Sequence, residues 1–376
     1  MKKLSYVMCA SASPEPGRML GVTVETERKK GEDGRQTLTV TGYSRHSDEY
    51  KLRAWYVDAY YPVVDSANQL LYYKQSDSTL SEYKVGGTSL QEFPDVRTAY
   101  LYRDEEQILY CGHRSDRKIM LWGKPVNGVR HGQKKAVEYT ISSSSQWRGG
   151  VVSLVVVPSS SGSKKMVYAL DEGDSQQNKR TLCIQTLGET LPELDTPDAV
   201  PHVELPHHIC RLAADAKGKY VVAASPWGIY RFVAGSKEKT TISPGGTVWS
   251  WPMLWEDGGT VWCCWVREDK DKKNFYLEVR NIKSPTTAPK SIPFDNASGV
   301  PQWEHWSTGF ELFSLVVDSA KGDVWAMGAV FKDGWKGAAF RFDVKAAKSE
   351  GAWIDDGGAV SSGYHVFDRF PVGFTS

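Results

Sequence analysis

Tryptophan is frequent in this chain, with 14 residues, and several lie close together in the second half. Trp251, Trp303 and Trp306 stand near proline, glycine or serine, so we expect them in loops or at strand entrances. A loop tryptophan offers a large apolar face and one N–H donor, which suits the ring of a sugar or a planar polyketide or terpenoid. We therefore predict that these three residues contact a small-molecule ligand.

Two histidines are candidates for catalysis. His305 lies between Trp303 and Trp306, and His113 directly follows the predicted strand Ile108–Cys111. Each imidazole is able to donate a hydrogen bond to a carbonyl of a bound ligand, which stabilises developing charge without net proton transfer. Where two bound molecules react with each other, further acceleration would come from holding them in register. Ordinary packing is the alternative role for both side chains.

Motifs for other chemistries are missing from the sequence. There is no Gly-x-Ser-x-Gly nucleophile elbow and no glycine-rich phosphate loop between a strand and a helix. His202, Glu204, His207 and His208 form the densest histidine cluster, but Pro206 interrupts it and the spacing fits no regular metal site. We interpret this cluster as packing between repeats, and we predict neither a metal nor a cofactor.

The charge balance restricts the partners. The net charge is +1, from 46 basic and 45 acidic residues, which gives no electrostatic reason to expect nucleic acid or an anionic membrane. No apolar run approaches the roughly 20 residues that cross a bilayer. We expect a small-molecule ligand and a monomer or weak homo-oligomer.

The first residues leave the localisation open between two readings. Lys2 and Lys3 precede Leu4–Ala12, which ends in an Ala-Ser-Ala triplet typical of a signal cleavage site. The apolar part is short for a secretory signal, so a cytoplasmic protein in which this segment is a lead-in or a first strand is the preferred interpretation. Secretion through a shortened signal is the alternative.

The six cysteines show no Cys-x-x-Cys pair, which argues against a zinc ribbon or a redox motif. Neighbours in a strand point to opposite faces, so Cys263 and Cys264 are predicted to be two buried thiols and not a vicinal disulfide. A bridge such as Cys111–Cys183 stays open as an alternative. The six residues are Cys9, Cys111, Cys183, Cys210, Cys263 and Cys264.

Strand patterns dominate the chain, and sustained helical periodicity is absent. The strands recur in units of roughly 50 residues, each with an inner strand, a turn, a middle strand and an aromatic-ended outer strand. Ser153–Val157 and Phe313–Val317 are inner strands of two such units, and Ala216–Tyr220 and Ala320–Val324 are near copies of one turn. The middle-strand tryptophans are predicted to belong to the core; they are Trp262, Trp265 and Trp325.

This pattern predicts an all-β chain that forms a single β-propeller of six antiparallel four-stranded blades, or of seven. We expect a partly irregular N-terminal lead-in over residues 1–35 and one closed propeller domain over 36–376. The hairpin Leu38–Val57 is either a seventh blade or a partner of C-terminal strands near Val360–Phe367. Such pairing would close the ring and remove an exposed sheet edge.

One unit resembles a known family. Leu71–Tyr83 reads Leu-Tyr-Tyr-Lys-Gln-Ser-Asp-Ser-Thr-Leu-Ser-Glu-Tyr, which is similar to a blade of the fungal fucose-binding lectin propellers. The resemblance implies a propeller fold and sugar contacts from Tyr72, Tyr73 and Glu82. The family's arginine before the glutamate is Ser81 here, and the unit at Gln107–Trp122 has Met120 and Leu121 where a glutamate would stand.

The same resemblance implies a second activity. Similar lectin-like propellers act in fungal natural-product pathways as cofactor-free cyclases, including hetero-Diels–Alder catalysts that join a quinone methide to a terpene. Divergent repeats suit one special pocket better than many identical sites acting by avidity. We therefore expect a cofactor-free cyclase of secondary metabolism with one central or top-face pocket. A lectin with few sugar sites and a non-catalytic scaffold are the alternatives.

The cyclase hypothesis makes a direct prediction about His305 and Trp306. Replacing either residue by alanine is expected to reduce turnover of paired terpenoid and polyketide substrates without unfolding the chain, because both are assigned to the ligand pocket. Product formation against a heat-inactivated control, with circular dichroism of each variant, measures this. Two folded variants with full activity would contradict the assignment.

Overall fold

A computed structural model defines the fold. The residues it describes are 4–12, 18–26, 36–44, 63–65, 70–76, 79–84, 89–102, 108–113, 118–123, 137–140, 149–158, 165–173, 176–177, 179–187, 202–206, 209, 211–215, 217–225, 227–243, 247–248, 250, 252–269, 274–294, 313–318, 322–331 and 335–354.

Within these residues, 28 strands form seven sheets, and no residue is helical. Sheet 1 contains β1 (Leu4–Ala12), β2 (Arg18–Thr26) and β3 (Gln36–Ser44). Sheet 2 contains β4 (Val63–Asp65), β5 (Leu70–Ser76), β6 (Thr79–Lys84) and β7 (Ser89–Pro94). Sheet 3 contains β8 (Val96–Tyr102), β9 (Ile108–His113), β10 (Lys118–Gly123) and β11 (Val137–Thr140). Sheet 4 contains β12 (Val151–Pro158), β13 (Lys165–Asp171), β14 (Lys179–Leu187) and β15 (His202–Pro206).

The remaining sheets follow in chain order. Sheet 5 contains β16 (Arg211–Ala214), β17 (Tyr220–Ser225), β18 (Gly228–Val233) and β19 (Lys239–Thr241). Sheet 6 contains β20 (Thr247–Val248), β21 (Met253–Asp257), β22 (Thr260–Asp269), β23 (Asn274–Asn281) and β24 (Lys290–Pro293), with β20 and β21 both paired to β22. Sheet 7 contains β25 (Phe313–Asp318), β26 (Asp323–Phe331), β27 (Trp335–Asp343) and β28 (Lys348–Ile354).

Each sheet other than sheet 6 is an up-and-down meander in which consecutive strands pair, and in sheet 6 the strands from β21 to β24 follow the same pattern. Sheets 2, 3, 4, 5 and 7 have four strands and sheet 6 has five. The all-β class and the four-stranded antiparallel units predicted from the sequence are confirmed, and the arrangement is consistent with a propeller-like fold. No helix long and apolar enough to cross a bilayer occurs in the described part of the chain.

The chain divides into two compact units. Unit 1 comprises Met1–Leu71, Tyr83–Ser89 and Pro244–Ser376, and unit 2 comprises Tyr72–Glu82 and Leu90–Ser243. Each unit has its own core clusters.

In unit 2, sheet 4 is buried on both faces. Leu154 and Val156 of β12 pack in one core cluster with Tyr110 of sheet 3. Val155, on the opposite face of β12, packs in another cluster with Phe232 of sheet 5. Alternate residues of one strand thus fill two cores, which explains the nearly uninterrupted apolar run Val-Val-Ser-Leu-Val-Val-Val.

In unit 1, sheets 6 and 7 share one core. Phe294, just after β24, lies 4.6 Å from Phe340 and 4.9 Å from Phe342 between ring centroids, both in β27. Phe275 of β23 lies 6.1 Å from Phe294. All four rings belong to one buried cluster, which also includes Trp255. Edge-on aromatic contacts of this kind add to the area that the rings bury.

The described residues near the N-terminus form strands. Strands β1 and β2 lie inside residues 1–35, and β2 pairs along its whole length with β3, which begins at Gln36. Leu4–Ala12 is therefore a strand, as one of the two readings of this segment held. The second half of the predicted hairpin Leu38–Val57 and the segment Val360–Phe367 lie outside the described residues, so ring closure stays a prediction.

The two near-copy turns predicted from the sequence share a backbone conformation. Gly218 has φ of 63° and Gly322 has φ of 73°, a region that favours glycine. A Cβ at Gly218 would lie 2.2 Å from Cδ of Pro158 in sheet 4. At this position the turn needs glycine both for its backbone angle and for its contact with the next sheet.

We expect Gly218→Ala to lower the free energy of unfolding by about 2–4 kcal/mol, because the methyl group adds a steric clash to a left-handed backbone. Gly235→Ala is the matched control: φ is 83° there, but nothing lies within 4 Å of the added Cβ. Its expected loss is about 1 kcal/mol. Denaturant titration of both variants compares them, and equal losses would contradict the packing argument.

The buried thiols were predicted correctly for Cys263 and Cys264, which are both fully buried and unbridged. Cys111 and Cys183 are also free and buried, so the alternative of a bridge between them is wrong. Burial raises the pKa of the Cys183 thiol to about 12. Burial likewise raises the pKa of Cys111, Cys263 and Cys264.

These four thiols are expected to resist iodoacetamide in the native protein at about pH 8.5, where an unfolded cysteine is half ionised. The thiolate is the reactive form, and the raised pKa values keep the native thiols protonated. Labelling before and after denaturation, followed by peptide mass mapping, measures each site separately. Native-state labelling of any of the four would contradict the prediction.

Candidate functional site

A cleft of about 450 Å³ lies in unit 1 between sheets 6 and 7. Four segments form its walls: the β21–β22 hairpin, the end of β23 with the loop to β24, the β25–β26 turn and the β27–β28 turn. The aromatic core described above lies in the same pair of sheets. The cleft is thus placed by the packing of two successive sheets and by the turns at one end of them.

The apolar wall of the cleft is a pair of tryptophans. Trp255 in β21 and Trp262 in β22 are directly opposite each other in the strand register. Their rings stack with centroids 6.4 Å apart and planes inclined by 26°. Trp255 is buried and belongs to the core, whereas Trp262 is half-buried and lines the opening. Trp262 therefore presents an aromatic surface to the opening, and Trp255 supports it from the core side.

A tight glycine hairpin fixes this pair. Gly258 and Gly259 form the two-residue connection, with φ of 54° and 73°. Positive φ at both central residues is the requirement of a type I′ turn, and Gly-Gly meets it. Asp257 then pairs with Thr260, which sets the register of every residue further along the two strands.

The polar wall comes from the loop between β23 and β24. Asn281, at the end of β23, accepts the Lys283 N–H at its side-chain oxygen over 2.9 Å. The Ser284 N–H bonds to the Asn281 carbonyl over 3.2 Å, and the Thr287 N–H bonds to the Ser284 carbonyl over 3.1 Å. Asn281, Ser284 and Thr287 line the cleft, so it has an amide nitrogen and two hydroxyl groups on a loop held by its own turns.

Another part of the rim is basic. The Lys290 ammonium in β24 donates to the backbone carbonyl of Val344, and to that of Lys345 over 3.2 Å. Lys345 reaches across the β25–β26 turn: its Cε lies 3.5 Å from the point where a Cβ on Gly322 would stand. Val344, Lys345 and Lys290 all line the cleft. The Ser349 hydroxyl donates to the Pro293 carbonyl over 2.7 Å and further ties the two sheets together.

A buried ion pair lies on the opposite face of sheet 6. The Glu278 carboxylate is fully buried and accepts from Nε of Arg267 over 2.7 Å and from the Ser291 hydroxyl over 2.8 and 3.0 Å. Arg280, two residues along β23, has its pKa lowered by burial. Side chains of β23 alternate, so Val279 and Asn281 face the cleft while Glu278 and Arg280 do not. This pairing holds β22, β23 and β24 together behind the site.

The lining suits binding better than covalent chemistry. The described lining residues include no histidine or cysteine, and Asp257 is their one carboxylate. Glycoside hydrolysis uses two carboxyl groups across the scissile bond. Elsewhere in the described residues, no group of three or more His, Cys, Asp or Glu is arranged to hold a metal ion.

The structure describes only some of the site residues predicted from the sequence. Trp251, Trp303, His305 and Trp306 lie outside the described residues, so their assignments stay predictions. His113 ends β9 in unit 2 and is half-buried, with its backbone opposite Val96.

The lectin-like motif also stays a prediction. Tyr72 and Tyr73 lie in β5, and Glu82 lies in β6 with its side chain buried, at 4% exposure. Glu82 is not among the described residues that line the cleft.

The prediction that the middle-strand tryptophans belong to the core has a different result for each residue. Trp265 is fully buried, as predicted. Trp262 was predicted to be core, and this is wrong: it is half-buried, packs against the core cluster and lines the cleft. Trp325 lies in β26, but its side chain falls outside the described part.

Sequence reasoning missed Trp255 and Trp262 as a pair, although a signal existed. Gly258-Gly259 is a strong two-residue hairpin signal, and counting outward from it places Trp255 opposite Trp262. Lys290 and Lys345 carried no comparable signal, because their meeting depends on the packing of two separate sheets.

Comparisons with known proteins inform the fold. No protein-family model and no curated protein matches this chain. Among similar solved structures is that of a puromycin hydrolase, with a TM-score of 0.50 and 13% sequence identity. The match covers 92% of this chain but 53% of the hydrolase chain, so this chain spans about half the length of that protein. At this identity the likeness concerns the fold alone, and it supports the propeller-like arrangement of the sheets.

Proposed function

We propose that this chain is a carbohydrate-binding propeller and that one sugar unit occupies the cleft between sheets 6 and 7. The observation that carries the proposal is the stacked pair Trp255 and Trp262 directly beside a polar wall of amide and hydroxyl groups. A sugar ring has an apolar face of C–H groups and an equator of hydroxyl groups. The cleft offers a complementary surface to each.

The polar wall favours a hydroxylated ligand over an apolar one. Asn281, Ser284, Thr287 and Asp257 provide donors and acceptors at the cleft surface. Polar groups covered by an apolar ligand would lose their water partners without replacement, which costs free energy. A sugar hydroxyl both donates and accepts, so it replaces those waters.

The cofactor-free cyclase is a separate hypothesis. It depends on the histidines and tryptophans predicted from the sequence, and no contact within the described residues adds to it; these residues are His113, His305, Trp251, Trp303 and Trp306. It therefore stays a prediction with the test stated above. The scaffold alternative is likewise untested, since the fold by itself decides no function.

For the architecture, we propose that sheets 2 to 7 are six blades of one closed propeller. Sheet 1, with three strands, would be an incomplete seventh blade or the element that closes the ring. The support is the repeated four-stranded meander and the face-to-face packing of successive sheets within each unit.

Trp262→Ala is expected to weaken binding of a sugar identified by screening neutral and acidic monosaccharides by saturation-transfer NMR. The loss should be at least about tenfold, or about 1.4 kcal/mol, because the aromatic face at the opening is removed. Trp262→Phe retains a smaller aromatic face, so its affinity should fall between those of alanine and wild type. Isothermal titration calorimetry measures all three proteins.

Trp227→Ala is the matched control. Trp227 is 62% exposed in the β17–β18 hairpin of unit 2 and does not line the cleft. Its replacement should leave the affinity unchanged. Thermal unfolding of each variant separates lost binding from lost folding. A folded Trp262→Ala variant that binds like wild type, or a loss confined to Trp227→Ala, would contradict the placement of the site.

A further inference from the structure

We infer that the sugar bound in this cleft carries an anionic group, a carboxylate or a sulfate ester, directed at the basic rim formed by Lys290 and Lys345. This inference rests on the proposed function and narrows its ligand class. It is carried by the way charges are paired around the cleft.

Lys290 contacts the turn that carries Lys345. Nζ of Lys290 bonds to the backbone carbonyl of Lys345, and it also bonds to that of the preceding residue, Val344. These carbonyls satisfy hydrogen bonds but carry no net charge. Lys345 itself extends over the Gly322 turn at the same rim. The bonding of Lys290 thus holds one positive charge beside the turn that supplies the second.

The acids near this rim are committed to other partners. Asp323 accepts Nε and Nη2 of Arg341 over 3.0 and 2.9 Å. Glu350 lies 4.0 Å from the same arginine. Asp343 accepts the Ala346 N–H over 2.8 Å within the β27–β28 turn. Among the described residues, no carboxylate lies within ion-pair distance of either rim lysine.

Asp257, the one carboxylate among the described lining residues, belongs to a different wall of the cleft. Asp257 is exposed at the β21–β22 hairpin. The nearby Lys283 ammonium bonds to the Gly259 carbonyl of that same hairpin. The described lining therefore carries one negative charge at the hairpin and two positive charges at the basic rim. A ligand with one anionic substituent and several hydroxyl groups complements both ends.

The two lysines are expected to give a moderate preference for an acidic sugar over a neutral one. Lys290 and Lys345 are exposed, so each contributes a screened attraction. Two such charges acting on one anion should give about a threefold to tenfold preference for an acidic sugar over its neutral counterpart at low ionic strength. The preference should decline toward parity at about 1 M salt, where the Debye length is about 3 Å.

The experiment compares sugars that share one ring. Glucose, glucuronate and glucose 6-sulfate form one set, and galactose, galacturonate and galactose 6-sulfate form the other. Calorimetry of the full chain at about 20 mM and about 1 M salt gives the ratio of acidic to neutral affinity. A ratio of about three to ten at low salt, lost at high salt, is the expected result. The carboxylate and sulfate arms identify which anion is preferred.

Lys345→Met removes one rim charge and keeps the length of the side chain. It should move the ratio of acidic to neutral affinity toward one. Lys348→Met is the control with the same change of net charge: Lys348 is exposed in β28 but does not line the cleft, and the ratio should stay at the wild-type value. Equal ratios in the two variants would overturn the assignment of the rim.

The outcomes for the inference and for the proposed function are distinct. If neutral sugars bind as tightly as acidic ones in the wild type, the anionic preference is wrong and carbohydrate binding stands. If no sugar of either set or of the broader screen binds, the proposed function fails and the inference fails with it.

Discussion

The aromatic contact between sheets 6 and 7 determines where the candidate site lies. Phe294 follows β24 directly and inserts against Phe340 and Phe342 of the next sheet. Removing these rings from water favours close packing of the two sheets and fixes their separation. Trp255 belongs to the same cluster, so the core and the aromatic wall of the cleft share a residue. The proposed binding surface is therefore the exposed edge of a hydrophobic core.

Hydrogen bonds then fix the positions of the strands and turns that line the cleft. The Gly258-Gly259 turn sets the register that stacks Trp262 on Trp255. Lys290, one sheet away from the β27–β28 turn, holds that turn through two backbone carbonyls. Behind the site, the buried Glu278 carboxylate joins three strands of sheet 6 through Arg267 and Ser291. A buried carboxylate needs such partners, because leaving it unpaired would cost several kcal/mol.

Local features were predictable from the sequence, and features that depend on packing between sheets were not. The strand Val151–Val157 and the turns at Gly218 and Gly322 follow from apolar runs and turn chemistry, and the structure confirms them. Trp262 illustrates the limit: alternation along a strand shows which face a residue occupies, but not whether the neighbouring sheet covers it. The cation pair at Lys290 and Lys345 depends on two chain segments more than 50 residues apart, so no local pattern indicates it.

The divergence of the repeats explains why a cleft opens at one junction between sheets and closes at another. Between sheets 4 and 5, the Gly218 turn packs directly on Pro158, and the buried hydroxyl of Tyr168 accepts the Gly235 N–H over 2.7 Å. Those contacts join the two sheets closely at this turn. The near-copy turn at Gly322 approaches a side chain of its own sheet instead, and the tryptophan pair and the basic rim line the space that is left. The two near-copy turns thus have different surroundings. The Gly218 turn packs against the neighbouring sheet, whereas the Gly322 turn lines a cleft, because the residues that face the two turns differ.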